Sequence, residues 1–242
     1  MSSKVVQMTW RDEAMLGWLS TMRLADLEAI RFALAGLAGA EDGEPVTLRK
    51  AQQWVARLHG VGLVGRGKPA FQSGSVVWPT HEAIGRAPNL FKQTTRHELA
   101  VAAASARYLA RGYSWQRDRK PASLQDHQAD GVAIKGDLVE LVEVELTPKT
   151  PGRYRLIHHS HADRLSAGVS RVVYLCTPEA ARTVAREADQ LIFRDLRPRL
   201  VTAPVMDVRG RWVGAEDAAW TDQPVEVPAP GRTPELWDRR IS

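Results

Sequence analysis

Apolar residues at helical spacing mark the beginning of the chain. The pattern predicts a short helix over residues 10–21, after Thr9, followed by a second, amphipathic helix. The apolar face of this second helix consists of Leu24, Leu27, Ile30, Leu34 and Leu37. Residues 36–44 then interrupt the periodicity, so we expect the second helix to end there.

A third helix is predicted from Thr47, a suitable N-cap, to Leu58. One arc of this helix is apolar and contains Leu48, Ala51, Val55 and Leu58. The opposite arc carries Arg49, Lys50, Gln53 and Arg57. Two strands can follow, Leu63–Val64 and Val76–Trp78, joined by a basic turn that contains Arg66 and Lys68. Three helices and a two-stranded wing predict a winged helix-turn-helix over residues 1–92.

The rest of the chain alternates helical and strand patterns. A helix over residues 95–110 has small apolar residues that allow close packing on a sheet, namely Leu99, Ala102, Ala103, Ala106 and Leu109. Strands are expected near residues 113–118, 129–135, 138–146, 171–176 and 199–206, and a helix over residues 178–191. This order predicts an α/β sheet with a crossover, within a chain that is α+β overall. We expect this domain to cover residues 93–221, before an irregular, Pro-rich tail over residues 222–242.

Charge distribution indicates a polyanionic partner for the first domain. The whole chain has a net charge of only +5, but seven Lys and Arg side chains lie between residues 45 and 92 against one acid, Glu82. In a winged helix the third helix enters the major groove of DNA, and the wing reaches the backbone or the minor groove. The side chains expected to contact duplex DNA are therefore Arg49, Lys50, Gln53, Arg57, Arg66 and Lys68. The alternative is that these residues form an ordinary solvated helix face.

Carboxylates cluster in the sequence around the predicted strands 129–135 and 138–146. A turn of Lys135, Gly136 and Asp137 joins the two strands, and a hairpin there would bring Asp130 alongside Glu143. Glu143 and Glu145 share one face of their strand because side chains alternate. Such oxygen ligands suit Mg²⁺ or Mn²⁺ at a phosphodiester. The alternative is that these acids are ordinary solvated residues at a strand edge.

These residues resemble the PD-(D/E)xK nuclease superfamily, in which an Asp at one strand end precedes a Glu-x-Lys pattern on the next strand. More narrowly, the segments Trp115–Arg119, Gln128–Asp130 and Val142–Lys149 resemble the replication-relaxation family of actinobacterial mobile elements. That family is similar in placing a winged helix before a nuclease-like, restriction-endonuclease-like α/β domain. Two positions depart from the superfamily pattern: Ala129 replaces the usual Pro, and Glu145 replaces the usual Lys.

The resemblance implies roles for six residues of this chain. Asp130 and Glu143 would hold the metal, and Glu145 would add a ligand or orient water. Lys149 would act as a migrated lysine that stabilises charge on phosphorus. Asp118 and Glu98 would be further ligands or water-positioning groups.

Histidine and cysteine patterns indicate no additional site. His158, His159 and His161 lie close together on a helix, where successive side chains point about 100° apart. No matching Cys or acid spacing follows, so a zinc site is not expected there. The single cysteine, Cys176, lies in an apolar strand and excludes an intramolecular disulfide.

Together these patterns predict a DNA-binding protein of a plasmid or other mobile element that nicks or cleaves duplex DNA with Mg²⁺ or Mn²⁺, in replication, relaxation or transfer. The alternative is a non-catalytic regulator or accessory factor with a degenerate nuclease fold, which Glu145 favours. Replication or transfer machinery and a second copy in a homodimer are further expected partners. No stretch reaches the ~20 apolar residues needed to cross a bilayer, and no signal region follows the start, so we expect a cytoplasmic protein without a membrane partner.

Overall fold

A computed structural model describes residues 7–71, 74–81, 88–92, 94–123 and 126–220 of the chain. Within these residues the fold is mixed α/β, as the sequence predicts, and it contains six α-helices and two sheets. The chain divides into two compact units. Unit 1 contains the described residues of Met1–Gln116 together with Met206–Val213, and unit 2 contains those of Arg117–Val205 and Gly214–Ser242. The Pro-rich segment expected over residues 222–242 lies outside the described residues.

Unit 1 contains four helices and four strands in chain order. The helices are α1 (Trp10–Met22), α2 (Leu27–Gly36), α3 (Leu48–Gly60) and α4 (Thr94–Ala110). The strands are β1 (Ala25–Asp26), β2 (Val64–Gly67), β3 (Val76–Pro79) and β4 (Ser114–Gln116). The first three strands form an antiparallel sheet in the order β1-β3-β2.

Local side-chain chemistry determines where the first three helices begin. Thr9 and Asp12 form a capping box at α1, because each side chain bonds the backbone N–H of the other. Asp26 caps α2 by accepting a hydrogen bond from the Ala29 N–H at 2.8 Å. Thr47 caps α3, as predicted, through the Lys50 N–H at 3.3 Å.

Strand β1 is a feature that the sequence reading missed. The second helix was expected to include Leu24, but Leu24 is buried just before β1, and α2 begins only at Leu27. A two-residue strand carries no detectable alternation, and here it exists because Ala25 pairs with Val77 of β3. The basic turn also differs from expectation, since Arg66 lies within β2 and pairs with Val77.

The predicted domain boundary at residues 92/93 differs from the division of the structure, because α4 belongs to unit 1. The helix was expected to pack closely on a sheet, but its close partner is α2. Gly36 of α2 lies so near α4 that a Cβ there would come within 2.6 Å of the Ala110 nitrogen, and closer still to the Leu109 carbonyl. Trp18 of α1 also bonds Ser105 of α4 at 3.0 Å.

Unit 2 is built on strands β5 (Gly131–Lys135), β6 (Leu138–Glu145), β7 (Arg171–Cys176) and β8 (Leu200–Ala203). Strands β5 and β6 form the predicted hairpin, with Gly136 at a positive φ of 57° in its turn. Strand β6 pairs in parallel with β7, and β7 with β8, so the intervening helices α5 (Pro151–Ser166) and α6 (Pro178–Leu191) are crossovers. Their apolar faces cover a core that includes Leu141, Ile157 and Val172.

Strand β6 is buried along most of its length, and this rules out the solvated alternative for its acids. Glu140, Glu143 and Glu145 are each 5% exposed or less. A carboxylate in such a position needs a partner, because an unpaired buried charge costs several kcal/mol on the usual scale, roughly 3–5. Glu140 has this partner in Arg171, at 2.7 Å.

None of the helices among the described residues combines the length and the apolar composition required to cross a membrane.

Candidate functional site

The β5–β6 hairpin brings Asp130 and Glu143 together. The register pairs Gly131 with Val142, so Asp130, one residue before β5, stands beside Glu143. The Asp130 carboxylate accepts a hydrogen bond from the Val144 N–H at 2.8 Å. The placement expected from the hairpin is therefore present, and Asp130 is only partly buried.

Glu143 lies between two histidines. Its Oε1 atom is 2.7 Å from His127 Nε2 and 3.0 Å from His161 Nε2. Burial acts to raise the pKa of Glu143, but the hydrogen bonds and charges of the two histidines outweigh it and hold the pKa well below its usual range. Burial has the opposite effect on His161, whose pKa is lowered.

The helix α5 directs its apolar face, including two of its three histidines, towards the sheet. His158 and His161 are fully buried, whereas His159 on the opposite side is exposed. His161 Nδ1 lies 3.2 Å from the Tyr174 hydroxyl of β7. His158 stacks on Tyr154 with ring centroids 5.6 Å apart, and burial lowers its pKa to about 3.

The histidines are the part of the centre that the sequence reading missed. His127, Glu143 and His161 offer three ligand atoms within 4.8 Å of one another. A signal was available for His161: it follows Tyr154 and Ile157 by seven and four positions, the spacing of one buried helix face. His127 carried no such signal, because only the fold brings it to Glu143.

Glu145 and Lys149 form an ion pair at the end of β6. Burial raises the pKa of Glu145, and the negative charges of Glu143 and Asp130 add to this while Lys149 opposes it. The register places Asp130 opposite Glu143, and Glu145 follows Glu143 by two positions on the same strand, as expected. The Lys149 backbone N–H also donates to the Tyr154 hydroxyl at 3.2 Å, and burial raises the pKa of that hydroxyl to about 12.

Asp118 is held in a different arrangement from the one expected for a metal ligand. Its two oxygens accept hydrogen bonds from Arg164 of α5 at 2.5 and 2.8 Å, and one also accepts from the Ala129 N–H at 2.8 Å. Asp118 thus ties the segment before β5 to α5. Glu98 belongs to unit 1, where its carboxylate bonds Arg23 at 2.8 Å.

Helix α3 presents a polar arc to solvent. Arg49, Lys50 and Gln53 are exposed, as predicted, and Gln52 extends the same surface. The opposite arc is buried and contains Ala51, Trp54, Val55 and Leu58. Leu48 was expected on that arc but is 49% exposed, because it occupies the first turn of the helix.

Arg57 differs from the other predicted DNA-binding residues because it makes an ion pair with the buried Asp12 of α1. Trp54 Nε1–H donates to the same carboxylate at 2.9 Å. Burial acts to raise the pKa of Asp12, but the hydrogen bonds from Arg57, Thr9 and Trp54 outweigh it and lower the pKa to about 2. Arg57 therefore has a structural partner within unit 1.

Arg66 and Lys68 are both exposed at the end of β2. Arg66 lines a pocket of about 460 Å³ in unit 1, together with Gln52, Glu28 and Arg211. The exposed members of the predicted DNA-binding set, together with the neighbouring Gln52, are Arg49, Lys50, Gln52, Gln53, Arg66 and Lys68. We call this set the basic surface.

Comparisons with protein-family models, with curated proteins and with solved structures find no match to this chain.

Proposed function

We propose that the protein binds duplex DNA through unit 1 and hydrolyses phosphodiester bonds at the Asp130–Glu143 centre of unit 2, using Mg²⁺ or Mn²⁺. The observation that carries the proposal is the convergence of Asp130, Glu143 and Glu145 beside Lys149 on two paired strands. A role in replication, relaxation or transfer of a mobile element rests on the resemblance of the sequence around these residues.

The order of elements in unit 1 supports a winged helix. Unit 1 contains three helices, α1 to α3, and a small antiparallel sheet, and the β2–β3 hairpin would be the wing. Helix α3 would then be the recognition helix, with Arg49, Lys50 and Gln53 towards the major groove. Arg66 and Lys68 would contact the phosphate backbone.

The hairpin of unit 2 supports a nuclease of the PD-(D/E)xK type. An Asp at the start of one strand and a Glu on the next stand side by side, the arrangement that the resemblance requires. A divalent ion held there would polarise the phosphate and lower the pKa of bound water. Asp130 and Glu143 would orient that ion, and Lys149, once released from Glu145, would offset negative charge on the phosphate.

The direct test is incubation of supercoiled plasmid with the full-length protein and Mg²⁺ or Mn²⁺. We expect nicked or linear products, and a loss of at least about a hundredfold in rate for the Asp130→Ala, Glu143→Ala double variant. Asp137→Ala, in the exposed turn of the same hairpin, is the matched control and should retain the wild-type rate. Cleavage that persists in the double variant would show that the Asp130–Glu143 centre is not the site of hydrolysis.

A second candidate is a non-catalytic DNA-binding accessory factor, and the Glu145–Lys149 pair favours it. Glu145 stands where the superfamily has its lysine, and its negative charge weakens water activation. It also holds Lys149 in an ion pair. This candidate predicts wild-type DNA binding with no cleavage under any divalent ion. In either case a homodimer would fit recognition of two half-sites, and replication or transfer machinery would be the partner complex.

A further inference from the structure

The histidines around Glu143 form a set that the proposed Mg²⁺ chemistry does not use. The three ligand atoms come from the segment before β5, from β6 and from α5, so only the folded unit assembles them. All lie in unit 2. His161 is fully buried and Glu143 is 5% exposed, whereas the His127 side chain retains 12% exposure. Two of the three residues are therefore buried, and His127 is the most exposed of the three.

The distances suit a metal ion with two imidazole ligands and one carboxylate ligand. Zinc binds His nitrogen and carboxylate oxygen at about 2.0–2.2 Å, which separates neighbouring ligand atoms by roughly 3–3.5 Å. Glu143 Oε1 already lies 2.7 and 3.0 Å from the two Nε2 atoms. A small outward movement of the side chains would thus accommodate the ion.

The surroundings position the ring of His161 and the backbone of His127. The Tyr174 hydroxyl lies 3.2 Å from His161 Nδ1, and its oxygen can accept a hydrogen bond from Nδ1–H, which leaves the Nε2 lone pair for an ion. The backbone N–H of His127 donates to Ser160 Oγ at 3.2 Å, and Ser160 in turn donates to Asp126 at 3.3 Å, so the segment that carries His127 is tied to α5. Metal-binding histidines characteristically have an outer partner at the second ring nitrogen, as His161 has in Tyr174.

We propose that His127, Glu143 and His161 bind one first-row transition-metal ion, of which Zn²⁺ is the representative. Imidazole favours such ions over Mg²⁺, which prefers oxygen ligands alone. Three protein ligands leave a fourth position for water, as in catalytic zinc sites. The ion would use Glu143 and would therefore replace Mg²⁺ beside Asp130. Its binding does not depend on cleavage, and only its use in hydrolysis rests on the proposed function.

The test is a calorimetric titration of chelator-stripped, full-length protein with Zn²⁺, and a titration with Mg²⁺ is the comparison. We expect one Zn²⁺ per chain, bound more tightly than Mg²⁺. His127→Ala should weaken Zn²⁺ binding by at least about tenfold. His159→Ala changes an exposed histidine of α5, the helix that carries His161; it is the control and should bind as the wild type does.

Two further measurements keep the outcome independent of folding and of cleavage. Zn²⁺ should raise the thermal midpoint of the wild type and of Asp130→Ala, but not that of His127→Ala or Glu143→Gln. Absence of stoichiometric Zn²⁺ binding, or equal binding by the wild type and His127→Ala, would overturn the site. Zn²⁺ binding without plasmid cleavage would support the site while rejecting the nuclease, and Mg²⁺-dependent cleavage without Zn²⁺ binding would do the reverse.

Discussion

Asp12 illustrates how one buried carboxylate organises unit 1 at the residue scale. It caps its own helix and bonds both Trp54 and Arg57 of α3. Because its pKa in the folded protein, about 2, lies below the ordinary 3.8, the charged form stabilises the fold. That contribution is fully present above the ordinary pKa and is lost as the pH falls towards 2.

We therefore predict that Asp12→Asn lowers the free energy of unfolding by on the order of 2 kcal/mol near neutral pH. The difference between the wild type and the variant should shrink as the pH falls from 4 to 2. Thermal unfolding across this pH range measures it, with the exposed Asp137→Asn as the control. A difference that stays constant down to pH 2 would contradict the role of the Asp12 charge.

Asp118 gives a second prediction at this scale, because its bonds to Arg164 are buried. Asp118→Ala leaves the Arg164 charge without its partner, and we expect a loss of about 3–5 kcal/mol in the stability of unit 2. A paired change to Asp118→Leu and Arg164→Met should restore much of it. Thermal denaturation distinguishes this structural role of Asp118 from a metal-ligand role. If Asp118 were a metal ligand, Asp118→Ala would abolish cleavage but leave the thermal midpoint unchanged.

The sequence predicts the positions of the acids of the centre but not the partners of these acids. Asp130 and Glu143 were placed together correctly because a two-residue turn fixes hairpin register. The partner of Asp118 is 46 residues away in the sequence, and the partner of His127 is 16 residues away, on β6. Such pairs depend on tertiary packing, which local periodicity does not encode.

At the scale of elements, Gly36 is the position that sets the approach of α2 to α4. We predict that Gly36→Ala destabilises unit 1 by about 1–3 kcal/mol, because the added methyl group meets the α4 backbone. Gly17→Ala in α1 is the matched control, since a Cβ there has open space around it. That control should stabilise the protein by about 0.5–1 kcal/mol. Equal effects of the two substitutions on the thermal midpoint would argue against close α2–α4 packing.

Most helices and strands were predictable because each carries its own pattern. The expected helix over residues 178–191 corresponds to α6, and the expected strand over residues 171–176 corresponds to β7. The partner of α4 was not predictable, because a face of small residues packs equally well on a helix or a sheet. The two-residue β1 was not predictable either, since its existence depends on pairing with β3.

At the scale of the whole molecule, the basic surface predicts how DNA binding depends on salt. If Arg49, Lys50, Arg66 and Lys68 neutralise phosphates, log affinity should fall against log salt with a slope near −0.9 per phosphate. Arg66→Ala, Lys68→Ala should weaken binding to all duplexes similarly and make the slope shallower by about one to two. Gln53→Ala should instead change the preference among sequences. Fluorescence anisotropy at several salt concentrations measures both effects, and salt-insensitive binding would identify the surface as a solvated face.

Arg57 is expected to behave differently from these residues. The sequence placed it among the groups that read DNA, but its ion pair with Asp12 gives it a role in stability. We predict that Arg57→Ala lowers the thermal midpoint and leaves the sequence preference unchanged. A changed DNA sequence preference with an unchanged thermal midpoint would instead show that Arg57 takes part in DNA recognition.

The central claim is that DNA binding and phosphodiester cleavage belong to separate residue sets of one chain. The most direct measurement follows plasmid nicking and duplex binding in the same samples of wild type, the Asp130→Ala, Glu143→Ala variant and the Arg66→Ala, Lys68→Ala variant. We predict that the acid variant binds DNA like the wild type but does not nick it, whereas the basic variant loses nicking in proportion to bound DNA. Wild-type nicking by the acid variant would contradict the claim.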